Sequence, residues 1–200
     1  ISLQENKYSN VLLLTATITF ERWDTLEVNL QCHHQVSICH PVKHRLKMIE
    51  LCSSHKYAFV QLLLNRIDAI QAKRNKRTQG DDTLLTAKKK IIVRINSRIK
   101  CEQLAEFLEL LHKLKCMVVH SKNKQNELVD QLFTKQKIPS DIDVVFTTSI
   151  LDEAVNINNY DEEMDSLFIV GRQAHPEEIV QFMGRLRNAS VPCFLVINHA

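Results

Sequence analysis

Four clusters of polar and charged side chains stand beside apolar runs in the C-terminal half of this chain. Asn96-Ser97-Arg98 follows the run that starts at Lys90, and His120-Ser121-Lys122 follows the run that starts at Cys116. Thr147-Thr148-Ser149 follows the run from Ile142, and Gln181-Phe182-Met183-Gly184-Arg185-Leu186-Arg187 lies within a helical pattern. Amides, hydroxyls and guanidinium groups all donate hydrogen bonds, so these clusters suit the binding of anionic oxygen. Gln181 precedes Arg185 by one helical turn, which puts both on one face. Each cluster also has a plainer use. Ser, Thr and Asn at strand-to-helix junctions cap helices, and two arginines near a helix end form surface ion pairs. Only their joint order along one chain gives them weight.

The elements that carry these clusters alternate. Lys90–Ile95 is a β-branched run, and Ile99–Lys113 has Leu104, Phe107, Leu108 and Leu111 at the spacing of a helix face. Short strands are expected at Cys116–His120, Ile142–Thr147, Leu167–Val170 and Cys193–Ile197. Helices are expected at Asn126–Lys135 and at Glu177–Leu186, the second introduced by Pro176. Strands separated by single helices imply right-handed crossovers and a parallel sheet covered on both faces, an α/β fold. Ligands of such sheets bind in the loops beyond the carboxyl ends of the strands, where all four clusters are expected.

Two regions precede that pattern. Val11–Ile18 is a strongly apolar run that reads as a strand buried on both faces, and with so little chain ahead of it the sequence reads as a fragment. Between Pro41 and about Lys76 the spacing of Leu46, Ile49, Phe59, Val60, Leu63, Leu64, Ile67 and Ile70 predicts two helices broken near Ser53-Ser54. Lys73–Arg77 and Lys88–Lys90 are basic, the pattern of a solvated surface or of an arm near a polyanion, and Gln79–Asp82 is turn-like.

Composition sets bounds. Two hundred residues, 44% hydrophobic and 24% charged, make one ordinary domain with a packed core, with or without a helical appendage. A net charge of +3 decides nothing alone. Cys32, Cys39, Cys52, Cys101, Cys116 and Cys193 form no C-x-x-C pair and read as free thiols in a reducing compartment. No apolar run reaches membrane-spanning length and no signal segment opens the chain, so the cytoplasm is expected. Cys32, His33, His34, Cys39, His40 and His44 crowd together, but Cys-x6-Cys lacks the short paired spacing of zinc sites, and no metal site is expected.

Taken in order, the clusters resemble the motifs of superfamily 2 helicases, of the DEAD/DEAH type, from motif III onward. Thr15-Ala16-Thr17 resembles motif III, and VRINSRIKCEQLAEFL (Val93–Leu108) resembles motif IV and its helix. VVHSKNKQNELVDQLF (Val118–Phe133) resembles the following strand, histidine-bearing loop and helix. VVFTTSILDEAVNI (Val144–Ile157) resembles motif V, and QFMGRLRN (Gln181–Asn188) resembles motif VI. The matches cover nearly all of the chain outside Phe20–Lys88. Motif VI is the most specific of them.

The resemblance implies a RecA-like parallel sheet with helices on both faces and a helical insertion. It implies ATP and Mg2+ as cofactors, held mainly by a first RecA-like domain, and nucleic acid as partner. Arg185 and Arg187 would be the catalytic arginines that stabilise charge on the transferred phosphoryl group. Gln181, Gly184 and Asn156 would face ATP. Asn96, Ser97, Arg98, His120, Lys122 and Thr148 would hold the nucleic-acid backbone without reading bases. Thr15, Ala16 and Thr17 would couple the nucleotide state to the other domain. The sequence departs from the pattern at Ala154, where motif V has glycine, and at Arg187-Asn188, where motif VI has Gly-Arg; some DNA-acting relatives have a similar G-R-x-R form. Asn156 stands where many RNA-acting members have aspartate, which favours DNA over RNA.

A phosphate-binding G-x-x-x-x-G-K-S/T loop is absent, as is an acidic magnesium-binding run ahead of motif III, so the chain holds half of an ATPase site. The expected division is 1–30 for the end of a first RecA-like domain or linker, 31–88 for a connecting strand and helical insertion, and 89–200 for the second RecA-like domain. The corresponding function is the C-terminal motor domain of an ATP-dependent DNA helicase or translocase, inactive as an isolated fragment. The alternatives are a degenerate, non-catalytic RecA-like interaction module and a stand-alone nucleic-acid-binding domain.

Overall fold

The computed structural model describes residues 46–51, 58–78, 88–123, 125–171 and 175–198, all within one compact unit spanning 39–200. The run Val11–Ile18, the motif III residues Thr15, Ala16 and Thr17, and the Cys32–His44 cluster lie outside the described residues.

Six strands are described: β1 (Leu46–Leu51), β2 (Lys90–Ile95), β3 (Cys116–Val119), β4 (Val144–Thr147), β5 (Met164–Val170) and β6 (Cys193–Asn198). They form one sheet in the order β1-β6-β5-β2-β4-β3, with every pair parallel. Between them run α1 (Ala58–Thr78), α2 (Arg98–His112), α3 (Glu127–Lys135), α4 (Ile150–Ala154) and α5 (Pro176–Gly184). This is the α/β class that the alternation implies, with the parallel sheet that the resemblance also implies.

Each face of the sheet has its own core. Ile91, Val93 and Ile95 of β2 pack with Phe59, Leu63 and Ile67 of α1 and with Cys101, Ala105 and Leu108 of α2. Residues of opposite parity on β2 point the other way, and Ile92 joins Val129 and Leu132 of α3, Leu151 of α4 and Phe182 of α5. Alternation by two along the strand thus sends one residue set to each helical layer.

Two features depart from the sequence reading. Leu46–Leu51 is not a helix but strand β1, in parallel register with Cys193–Asn198. A segment of six residues is too short to distinguish helix from strand by periodicity. The edge of β6 supplies ladder partners that the local pattern does not reveal. The remaining helix of that region, α1, is docked on the sheet rather than set apart from it: Phe59 meets Phe168 edge-on at 6.0 Å, and Arg66 grips Asp165 with bonds of 2.6 and 3.1 Å. That fork also explains why β5 begins at Met164, three residues before the apolar run, since its polar start is held from outside the strand.

The cysteines that are described, Cys101, Cys116 and Cys193, are free thiols. Burial pushes the pKa of Cys101 up to about 11, and those of Cys116 and Cys193 up to about 12.

Candidate functional site

β2, β4 and β3 are neighbours in the sheet and run the same way, so their carboxyl ends form one continuous edge. Asn96-Ser97-Arg98, Thr147-Thr148-Ser149 and His120-Ser121-Lys122 are therefore brought into a row, although up to 53 positions separate them in the chain. Ser97 caps α2, accepting from the Lys100 backbone N–H at 3.4 Å. Asn96 is exposed, and so is Arg98, which lies 3.8 Å from Glu102. Thr148 is half-buried, and its N–H donates to the Val119 carbonyl at 3.2 Å, tying the β4 loop to the β3 loop.

His120 differs from its neighbours in this row. Its side chain is 8% exposed, its Nδ1 accepts from the Lys122 N–H at 3.1 Å, and its Nε2 lies 3.2 Å from Glu102 Oε1. Both ring nitrogens are engaged inside the protein, so the ring shapes the loop while Lys122 carries its exposed charge.

The motif VI residues lie elsewhere. α5 leads back from the carboxyl edge over nine residues, about 13 Å, and ends beside the segment that leaves α4. There Ile157 N–H donates to Arg185 O at 2.7 Å, and Arg187 N–H donates to Ile157 O at 2.9 Å, a parallel bridge between two loops. Side chains reinforce it. Arg185 Nε donates to the main-chain carbonyl of Asp152 at 2.6 Å, and Arg187 Nε donates to Asn156 Oδ1 at 3.0 Å. Arg185 is half-buried, Arg187 exposed, and Gln181 half-buried one turn earlier. Asn188 adds a bond to the Asn158 carbonyl at 3.2 Å. Arg185, Arg187, Asn156 and Gln181 are thus brought together, apart from the row on the carboxyl edge.

Gly184, at the end of α5, is exposed, and a Cβ placed there meets nothing within 4 Å. The glycine is not required by packing within this domain.

Sequence reasoning missed the residue that links the two groups. Arg94, on β2, is 3% exposed and points into the helical layer formed by α4 and α5. Its Nε lies 3.0 Å from both oxygens of Asp152, and its Nη2 lies 2.6 Å from Asp152 Oδ2 and 2.8 Å from Glu178 Oε2. Burial works against its charge, but the hydrogen bonds and charges of Asp152, and then of Glu178, outweigh burial and hold the guanidinium above its ordinary range. The signal was present in the sequence as a charge inside the apolar run Ile91–Ile95, since a buried charge needs a partner. The partner's identity was not.

Among the described residues, no group of three His, Cys, Asp or Glu side chains is placed to hold a metal ion. The guanidinium groups of Arg185 and Arg187 are themselves donors of the kind that suits polyphosphate oxygen. Among the described residues, no helix is long and apolar enough to cross a membrane.

A domain of Mss116p described as "DEAD-box helicase domain 2 bound to an RNA duplex" matches at 14% identity and a TM-score of 0.49, over 79% of this chain and 55% of that one. Helicase Lhr of Mycobacterium smegmatis, bound to single-stranded DNA and AMP-PNP, matches at 15% identity and a TM-score of 0.46, over 76% of this chain and 19% of that one. The helicase MrfA bound to DNA matches at 19% identity and a TM-score of 0.42, over 58% of this chain and 16% of that one. This chain therefore spans about half of the first of these and much less of the others. No curated protein matches it. The family model of the helicase conserved C-terminal domain matches residues 75–189, more than half of the chain. The chain belongs to the helicase conserved C-terminal domain family.

Proposed function

We propose that this chain is the C-terminal motor domain of an ATP-dependent helicase or translocase, active in the cytoplasm on DNA in preference to RNA. In this reading 1–30 is the end of a first RecA-like domain or linker that couples through Thr15, Ala16 and Thr17. Residues 89–200 form the second domain, and β1 and α1 of the intervening stretch extend its sheet and one helical layer. The observation that carries the reading is the separation of two donor clusters on one rigid frame.

Asn96, Ser97, Arg98, Lys122 and Thr148 line the carboxyl edge and would take the nucleic-acid backbone, with His120 shaping their loop. Hydroxyl and amide donors hold phosphates of any sequence, which suits a protein that steps along a strand. Arg185 and Arg187, with Gln181, Gly184 and Asn156 beside them, would face a nucleotide held by a first RecA-like domain. ATP and Mg2+, held mainly by the first domain, would supply the phosphoryl group and offset part of the charge on its oxygens. Arginines held by their Nε atoms keep the rest of each guanidinium directed, which lowers the reorganisation needed at the transition state. The preference for DNA rests on Asn156, which here accepts from Arg187.

The test is a paired measurement on the full-length protein of strand-stimulated ATPase rate and single-strand affinity. Arg185→Ala or Arg187→Ala is expected to lower turnover by orders of magnitude, in the range ~10³–10⁵ for loss of an arginine finger, with strand affinity held within a few fold. Lysine is expected to rescue poorly, because a point charge does not reproduce the planar fork. Near-wild-type turnover in both alanine variants would overturn the assignment of these arginines to the nucleotide and favour a non-catalytic role for this domain.

A further inference from the structure

We propose that Arg94 is a positioning residue that holds the arginine cluster in place. The inference rests on the reading of Arg185 as a nucleotide-facing residue, and goes beyond it by naming what fixes that arginine. Asp152 is the shared point. Its carboxylate takes the Arg94 fork, with all three contacts between 2.6 and 3.0 Å, and its main-chain carbonyl takes Arg185 Nε at 2.6 Å. Asp152 belongs to α4, four residues after Thr148 at the carboxyl edge and four residues before Asn156, the partner of Arg187.

The same Nη2 of Arg94 that meets Asp152 also meets Glu178 in the first turn of α5, the helix that ends at Gly184 and Arg185. Two carboxylates on neighbouring helices would repel each other without a cation between them. A planar guanidinium with fixed donor directions sets both their separation and their orientation, which an ammonium does not. One side chain on the central strand β2 therefore sets the relative place of α4 and α5. A shift of α4 would move Asp152 O and Asn156, and with them the Arg185 and Arg187 side chains that they hold. Simple charge balance would be met by any cation at position 94. Positioning requires the fork.

The experiment uses the full-length protein and two variants, Arg94→Lys and Glu178→Gln. Arg94→Lys keeps a positive charge beside Asp152 and removes the bidentate geometry. Glu178→Gln alters only the partner at the rim, whose side chain is 41% exposed, and leaves the Asp152 contact intact. Thermal midpoint, strand affinity, and kcat and KM for strand-stimulated ATP hydrolysis are measured for each, with kcat expressed per folded molecule.

For Arg94→Lys, kcat is expected to fall on the order of 10- to 100-fold, as for a displaced catalytic group, while KM and strand affinity stay within about twofold. For Glu178→Gln, a fall of a few fold in kcat is expected with an unchanged thermal midpoint. Wild-type kcat in Arg94→Lys overturns the inference and leaves Arg94 as charge balance in the core. If Arg94→Lys does not fold, Glu178→Gln decides: a lowered kcat at unchanged KM supports positioning, and an unchanged kcat overturns it. A wild-type protein with no strand-stimulated hydrolysis overturns the functional reading, and the inference with it, a result distinct from failure in the variants alone.

Discussion

Arg185 Nε donates to the Asp152 main-chain carbonyl at 2.6 Å across 33 positions of sequence, and this bond joins the loop after α5 to the third residue of α4. Arg187, two residues on, bonds instead to the side chain of Asn156 at 3.0 Å from a more exposed position. The two arginines are therefore unequal within the domain. One bonds to the main chain from a half-buried position, and the other bonds to a side chain at the surface.

That inequality predicts different stability effects. Arg185→Ala leaves the Asp152 carbonyl without this donor and is expected to destabilise the protein by about 1 kcal/mol, the scale of one intramolecular hydrogen bond. Arg187→Ala is expected to change stability by no more than about 0.5 kcal/mol, as surface substitutions usually do. Chemical denaturation of both variants measures the difference, and equal losses would contradict the structural distinction.

Gly184→Ala is expected to leave stability unchanged or raise it by up to about 1 kcal/mol, because Cβ meets open space at the end of a helix. If ATPase activity of the full-length protein falls in the same variant, the glycine answers to a close approach from outside this domain. A marked drop in thermal midpoint would instead show crowding within it.

Glu163 makes acid stability testable. Burial raises its pKa, but the Tyr160 N–H and then the Lys137 ammonium outweigh burial, holding the carboxyl below its ordinary 4.5. A carboxylate with a lowered folded-state pKa contributes stability that is present above the unfolded pKa and lost as pH falls through the folded value. Glu163→Gln is therefore expected to melt below wild type at pH 7, with the gap closing as the pH drops below 4.5. A gap that widens toward acid would have the wrong sign.

The carboxyl edge carries two exposed cations among the residues assigned to the strand, Arg98 and Lys122. If each neutralises one phosphate, log affinity for a single strand should fall by about 1.4 per log unit of salt, and by about 0.7 less after either is changed to alanine. Binding titrations between low and moderate salt give the slope. An unchanged slope in both variants would place the backbone elsewhere.

The alternation of β-branched runs with helical spacing determined the α/β class, because strand and helix periods differ and each is a local property. The order of the motifs likewise determined the family, since residues such as Gln181, Gly184 and Arg185 keep their spacing on one helix whatever surrounds it. What local pattern could not determine was pairing. Leu46–Leu51 has spacing that a helix would also satisfy, and it becomes a strand because β6 offers it an edge. Arg94 could be read as a misplaced charge, but not as the partner of Asp152 and Glu178, which lie 58 and 84 residues away. His120 was legible as a polar residue after a strand, whereas its burial depends on Glu102, presented by a helix from the other side of the loop. A buried charge or ring obtains its partners from whichever elements the sheet order brings alongside, and that order is settled by packing of the whole domain rather than by any one segment.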